Sequence, residues 1–264
     1  MIFETHAHYD DDAFQDDREQ VLAQMRSAGI GRIINIGASV KSTKQSLELA
    51  KKYDFIYAAV GVHPSEIEDL NEDTFGWLQD QTVWDKTAAV GEIGLDYYWD
   101  KEPEVQKRQR EWFGRQLELA RTSQLPVVIH SRDAAEDTMN VMKAHHAEDI
   151  PGVIHCYSYS KEIAMEYIKM GYYIGVGGVV TFKNGRKLVQ TVEAIPMERI
   201  LLETDSPYMA PEPKRGTRNN SMNIPYIVEK IAQIKGISTQ EVEQITEENA
   251  YRLFTKVKRG SNIL

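Results

Sequence analysis

Eight short runs rich in Val, Ile, Ala and Gly recur along this chain, at residues 2–8, 32–38, 56–63, 87–96, 125–132, 152–157, 172–178 and 199–206. Each is nearly continuous in small or branched apolar residues, with little polar alternation. A strand that reads this way is buried on both faces, as the strands of a parallel sheet are. Amphipathic segments of helical length separate the runs, at 16–28, 43–52, 73–84, 104–123, 134–147, 161–170 and 185–194. Two more follow the last run, at 223–235 and 239–254. In the first of these segments Val21, Leu22, Met25 and Ala28 fall on one stripe. Ser238, with Glu241 three residues on, predicts a capping box at the start of the last.

Strands alternating with helices over about 250 residues predict an α/β architecture, a (β/α)8 TIM barrel. An open doubly wound sheet is the alternative, and the lack of GxGxxG after the first run weighs against it. A chain of 264 residues that is 42% hydrophobic can bury one large core. No Pro/Gly/Ser-rich linker divides it. We therefore read a single domain at 1–256 and a polar C-terminal tail at 257–264, with fraying expected from Lys256 onward.

The formal net charge of −9 argues against general electrostatic coating of nucleic acid, though not against a nucleic-acid substrate bound locally. No stretch of about 18 apolar residues occurs, so no membrane-spanning helix is expected. The N-terminus reads as a strand, not as a basic region followed by an apolar signal segment. The single cysteine, Cys156, allows no intramolecular disulfide and fits a reducing cytoplasm, the expected location. Without a CxxC pair, any metal site must draw on histidine and carboxylate.

In a barrel, catalytic groups come from the C-terminal ends of the strands. Here those ends carry His6 and His8, then Gly61-Val62-His63-Pro64, Gly91-Glu92-Ile93-Gly94-Leu95-Asp96, Ile129-His130-Ser131-Arg132, Ile154-His155-Cys156 and Leu202-Glu203-Thr204-Asp205-Ser206-Pro207. Five of the seven histidines lie at run ends; His145 and His146 fall at a helix end and read as a solvated pair. Residues two apart on a strand share a face, with Cα atoms about 6.6 Å apart, so His6 and His8 stand side by side. Such a pair is costly in a core and well suited to a divalent cation. His6, His8, His130, His155, Glu92 and Asp205 supply more donors than one catalytic zinc requires. They fit two divalent ions that share a bridge, and Glu92 is the natural bridge because a carboxylate offers one oxygen to each. Nitrogen and oxygen donors without thiolate admit Zn, Mg, Mn or Fe.

Other groups at the same level carry two readings each. Glu203 is either a partner behind the ligands or half of a buried ion pair with Arg or Lys. His63 either contacts substrate or caps its turn. Asp96, Ser131 and Arg132 could order the ligands or bind an anion. Cys156 should face away from the site, into packing between barrel and helices. Lys214, Arg215 and Arg218, with Lys183 and Arg186, read as a local positive rim or as ordinary solvated loops. Tyr97, Tyr98 and Trp99 could stack an unpaired base or pack as a lid.

Taken in order, Thr5-His6-Ala7-His8, Gly61-Val62-His63-Pro64, Gly91-Glu92-Ile93-Gly94-Leu95-Asp96-Tyr97, Pro126 to Arg132, His155-Cys156-Tyr157-Ser158 and Leu202 to Pro207 resemble the TatD family of metal-dependent hydrolases, within the amidohydrolase-like barrels. The 210–220 loop and Glu248-Asn249-Ala250 are similar too, so the likeness spans nearly the whole chain. The resemblance implies a TIM barrel, a divalent-metal site and deoxyribonuclease activity, often 3′→5′ exonucleolytic. It implies one metal on His6, His8, Glu92 and Asp205, and another on Glu92, His130 and His155. Glu92 stands where many amidohydrolase barrels carry a carbamylated lysine, which favours the TatD branch.

The expected function is hydrolysis of DNA phosphodiester bonds at a single-stranded or frayed end, through a water activated by two divalent metal ions (Zn, Mg or Mn). Asp205 is expected to deprotonate or orient the water, Glu92 to bridge the metals, and His63 to steady the phosphate or assist the leaving oxygen. Arg132, Lys214, Arg215 and Arg218 are the expected substrate-binding residues. Neither a membrane nor an obligate protein partner is expected. The rival readings are a hydrolase of a small ester, lactone or amide using the same metals, and a non-catalytic metal or nucleic-acid binder.

Overall fold

The computed structural model describes residues 1–259. The elements are β1 (Ile2–Ala7), α1 (Arg18–Gln24), β2 (Ile30–Ile36), α2 (Val40–Lys52), β3 (Ile56–Val60), α3 (Glu72–Gln81), β4 (Thr87–Asp96), α4 (Pro103–Ser123), β5 (Val127–Arg132), α5 (Ala135–Ala144), β6 (Gly152–Ile154), α6 (Lys161–Lys169), β7 (Tyr173–Val176), α7 (Arg186–Ala194), β8 (Ile200–Leu202), α8 (Ile224–Lys235) and α9 (Thr239–Leu253). All eight strands are parallel and pair in sequence order from β1 to β8. The chain is the expected α/β barrel. Ser238 and Glu241 form the capping box of α9, the hydroxyl accepting the Glu241 N–H at 3.2 Å and the carboxylate the Ser238 N–H at 2.9 Å.

Side-chain alternation sorts the strand residues into two cores. Val127, Ile129, Ile154, Ile174, Ile200 and Leu202 belong to the larger one, between barrel and helices. Val128, Val153, Tyr173 and Leu201 belong, with Phe3, Ile34, Ile36 and Ala59, to a second cluster that fills the barrel. Leu253 and Phe254, at the end of α9, join that cluster and close it from the N-terminal mouth. Two residues beyond Val128, Val153 and Leu201, on the same face, stand His130, His155 and Glu203. The interior is therefore apolar at one end and titratable at the other.

The seam between β8 and β1 is held largely by side chains, because β8 is only three residues long. Ala7 and Ser206 form one isolated parallel bridge. The Asp205 N–H donates to the His6 carbonyl at 2.9 Å, and the His8 N–H to Ser206 at 2.8 Å. Below them the Thr5 hydroxyl donates to the Leu202 carbonyl at 2.9 Å. Glu4 spans the gap: its Oε1 accepts the N–H groups of His6 (3.1 Å) and Thr204 (2.9 Å), and its Oε2 accepts the Thr204 hydroxyl (2.7 Å). Burial pushes the Glu4 carboxyl up to about 7. The carboxyl thus ties β1, which carries His6, to the segment after β8 that carries Asp205, so the seam and the site share one fixture.

The tail departs from expectation. Val257 is buried in the second cluster, and the Lys256 ammonium donates to the carbonyls of Thr82 (2.9 Å) and Trp84 (3.2 Å). The Lys258 N–H donates to the Tyr57 hydroxyl at 3.2 Å, and Arg259 pairs with Glu248. A segment read as frayed is docked at 256–259 because one apolar residue among polar ones finds the barrel floor. The remainder of the expected tail, 260–264, lies outside the described residues.

If Glu4 closes the seam, Glu4→Ala strands the His6 N–H, leaves the Thr204 N–H only its 3.4 Å contact with the His6 carbonyl, and should cost about 2–4 kcal/mol. Glu4→Gln retains an acceptor and, at pH 6, replaces a carboxyl that is mostly neutral, so it should retain most of that stability. Urea denaturation of both variants at pH 6 measures the difference; equal stability of Glu4→Ala and wild type would remove Glu4 from the account.

Candidate metal centre

The residues singled out at the strand ends meet at the C-terminal mouth of the barrel. β1 brings His6, and His8 follows it; Glu92 lies inside β4, His130 inside β5, His155 just past β6, and Asp205 three residues past β8. β4 and β5 approach closely behind the site at Gly94, where φ is +142° and a Cβ would lie 1.9 Å from the His130 carbonyl oxygen. Only glycine suits that backbone.

Glu92 sits at the centre and is 3% exposed. Its Oε2 lies 3.4 Å from His6 Nε2 and 3.7 Å from His8 Nε2. Its Oε1 lies 2.8 Å from His130 Nδ1 and 2.7 Å from His155 Nε2. Asp205 Oδ1 completes the first group, 3.4 Å from His8 Nε2 and 3.6 Å from His6 Nε2. The two halves adjoin, for the His6 and His155 rings stack with centroids 3.9 Å apart and planes within 10°.

The back of each ring decides what its front can do. His8 Nδ1 is 3.1 Å from the Ile36 carbonyl and must donate to it, so Nε2 is the nitrogen that would give up its proton to a cation. His130 Nε2 is 3.1 Å from Asp96 Oδ2 and donates to it, so Nδ1 is the nitrogen that would give up its proton to a cation. A carboxylate or carbonyl behind an imidazole is the usual support of a metal-ligating histidine. His63 is built the other way round. Its Nδ1 accepts the Ser65 N–H at 3.1 Å, so the neutral ring carries its proton on Nε2, 3.8 Å from Glu92 Oε1. Although His63, Glu92 and His130 lie close enough to hold an ion, His63 is thereby a donor in this arrangement.

Burial opposes the charge on Glu92, yet His155, His6 and His130 hold its carboxyl well below the usual carboxylate range. Burial also opposes ionised Asp205, but the hydrogen bond from His8 keeps it low. Burial disfavours charge on His8, and Asp205 and Glu92 outweigh it, pushing that imidazole up to about 10. His130 follows the same balance, raised against burial to about 9 by Asp96 and Glu92. Burial and His155 press His6 down to about 4; burial and His130 press His63 down to about 3. Protons on His8 and His130 thus balance the carboxylates at neutral pH. A divalent cation supplies the same charge in the same place, and the donor set fits one.

The rim is more mixed than its sequence suggests. Tyr98 and Trp99 are exposed, and the Arg132 guanidinium lies 3.9 Å over the Tyr98 ring and 5.6 Å from Trp99. Asp96 Oδ1 accepts the N–H groups of both aromatic residues, at 2.9 and 3.1 Å, while Oδ2 holds His130. Tyr97 points elsewhere, its hydroxyl donating to Asp137 at 2.7 Å. Lys214 and Arg215 are exposed, with Arg215 stacked on Phe182 at 3.8 Å. Arg218 is committed to Asp17 and to the Ala13 carbonyl. Cys156 adopts φ of 43° two residues past the end of β6, so strand alternation no longer applies, and its N–H donates to Glu203 Oε1 at 2.5 Å. Asn35, with its partner Asp10, escaped the sequence reading. Asn35 accepts the Tyr9 N–H at 2.7 Å and donates to Asp10 at 2.8 Å, fixing the turn after His8. The signal was there: Asn35 is the lone polar residue in Ile33-Ile34-Asn35-Ile36.

Comparison with known proteins places this geometry in a family. The family model described as TatD related DNase matches residues 3–255. A Bacillus subtilis protein named uncharacterized metal-dependent hydrolase YabD is 41% identical over 254 residues, covering 96% of this chain and 99% of its own. The 3'-5' ssDNA/RNA exonuclease TatD of a Rahnella species is 31% identical over 259 residues, covering 96% and 98%. The crystal structure of YJJV, a TatD homologue from Escherichia coli K12, superposes with a TM-score of 0.89 at 31% identity, covering 96% of this chain and 98% of that one. With the barrel, the strand-end donors and these relatives in agreement, the chain belongs to the TatD family of metal-dependent hydrolases.

Proposed function

We propose that this protein hydrolyses DNA phosphodiester bonds as a 3′→5′ exodeoxyribonuclease acting on single-stranded or frayed ends. The observation that carries the reading is the division of Glu92, one oxygen toward His6 and His8 and the other toward His130 and His155. That division supports two cation positions, one on His6, His8, Glu92 and Asp205 and one on Glu92, His130 and His155. Two divalent ions held there supply Lewis-acid charge to a phosphate and lower the pKa of a water. The DNase description of the family and the exonuclease name of the Rahnella relative support a nucleic-acid substrate.

The chain's own groups divide the remaining work. Asp205 is the more open carboxylate, its side chain 19% exposed against 4% for Glu92, and it stays ionised. It accepts the proton of the attacking water. His63 stays neutral and presents its Nε2 proton toward the same space, where it donates to a phosphate or leaving oxygen. Arg132, held on Tyr98, and the exposed Lys214 and Arg215 meet the flanking phosphates. Arg218 steadies the loop through Asp17 instead. Trp99, more exposed than Tyr98, offers a ring face to an unpaired base. The positive groups are local, in keeping with an acidic chain.

Metal-loaded protein should shorten an end-labelled single-stranded oligonucleotide, and Glu92→Ala, with its fold intact, should lose about three orders of magnitude or more of that activity. Intact DNA beside rapid turnover of small esters would overturn the nuclease reading. Trp99→Ala should raise KM for the oligonucleotide about tenfold while sparing bis(p-nitrophenyl) phosphate, since stacking contributes about 1–3 kcal/mol per base. Because His8 and His130 hold protons through pH 6–8, and Glu92 raises His155 as well against burial, each cation must displace at least one. Apparent affinity at each position should therefore rise at least about tenfold per pH unit across that window. Calorimetry in buffers of different ionisation enthalpy counts the protons released, and a flat pH profile would contradict the assignment.

A further inference from the structure

Four buried side-chain polar atoms lack a hydrogen-bond partner among the described residues: His6 Nδ1, His155 Nδ1, Glu203 Oε2 and the Tyr167 hydroxyl. Three of the four belong to one cluster. A nitrogen of His6, a nitrogen of His155 and an oxygen of Glu203 lie within 4.8 Å of one another, and all three residues are buried. Burying a polar group without a partner is costly, so three together call for a common explanation.

The pattern of the other two imidazoles supplies it. His8 and His130 each have a dedicated acceptor behind the ring, the Ile36 carbonyl and Asp96. His6 and His155 have none. Their Nε2 atoms face Glu92, so with a cation between ring and carboxylate each ring would carry its proton on Nδ1 and its lone pair at the front. The acceptor within reach is Glu203, whose Oε1 lies 3.9 Å from His155 Nδ1. That is too long for a direct hydrogen bond and within the span of a bridging water. The carboxylate itself is anchored. Its Oε1 accepts the Cys156 N–H at 2.5 Å, and Oε2 occupies space that a Cβ on Gly175 would take, 2.2 Å away. Among the described residues no Lys or Arg pairs with it, which sets aside a buried ion pair with a basic side chain.

We propose that Glu203 is a positioning residue shared by both halves of the metal centre. Its carboxylate accepts the Nδ1 protons of His6 and His155 through one shared water, and so aims both Nε2 lone pairs forward when cations are bound. The inference rests on the two-cation reading, since the stacked His6 and His155 rings then serve different ions from one support behind them.

The test titrates zinc into the metal-free full-length protein against a competing chelator. Wild type should take up two equivalents. Glu203→Gln, which keeps shape and removes charge, should weaken both by about 10–100-fold, and Glu203→Asp should recover part of the loss. In long-range 1H–15N spectra of the zinc-loaded protein, the Nδ1 protons of His6 and His155 should resonate downfield in wild type. In Glu203→Gln these two should move or vanish by exchange while those on His8 Nδ1 and His130 Nε2 stay. Thermal unfolding of the metal-free variants separates positioning from mere packing, because the isosteric Gln should not lower it. Unchanged affinity with unmoved ring protons, or weakening of one equivalent alone, would overturn the shared role. A single equivalent in wild type would defeat the two-cation reading itself and the sharing with it.

Discussion

A carboxylate buried to the degree of Glu92 is stable only among positive charge and hydrogen-bond donors, and in this barrel four imidazoles face it, His8 and His130 carrying protons. An isolated ionised carboxyl in such a place would be protonated instead. Much else in the molecule reads as a consequence. The strand ends must deliver His6, His8, His130 and His155 to one point, and the groups behind those rings must fix where their protons sit. Asp96 and the Ile36 carbonyl do this for two of them. The position of Glu92 within β4, the longest strand, lets one side chain reach both halves of the cluster.

The barrel makes this convergence possible by separating its two ends. Apolar side chains from the strands and α9 fill the N-terminal half, so stability resides there and not in the polar mouth. The weakest backbone joint, between β8 and β1, falls beside Asp205 and His6. Glu4 and Thr204 compensate for the missing ladder there with buried hydrogen bonds. A loosened seam would move Asp205 relative to His6, so the same bonds serve fold and site.

The periodic features were legible from sequence because they obey simple geometry. Near-continuous apolar runs marked the eight strands, helical spacing marked the segments between them, and donors at run ends marked the mouth. What escaped depends on meetings between distant residues or on backbone groups. Asp17 and Arg218 are far apart in the chain, and nothing local announces that the arginine is already engaged. The Tyr97 hydroxyl is drawn to Asp137, which turns it away from its exposed neighbours. The Ile36 carbonyl and the Ser65 N–H set ring tautomers, yet every residue has such groups, so composition cannot point to them. At Cys156 the alternation rule has no purchase, because β6 ends two residues earlier and the chain turns into a left-handed conformation. The docking of Val257 eluded a reading based on average polarity.

The central claim is that one carboxylate stands between two cations. Anomalous diffraction from crystals of the protein loaded with zinc or manganese tests it directly. The account requires two peaks about 3.5–4 Å apart, one on each side of the Glu92 carboxylate. A lone peak, or a pair with Glu92 to one side of both, would contradict it.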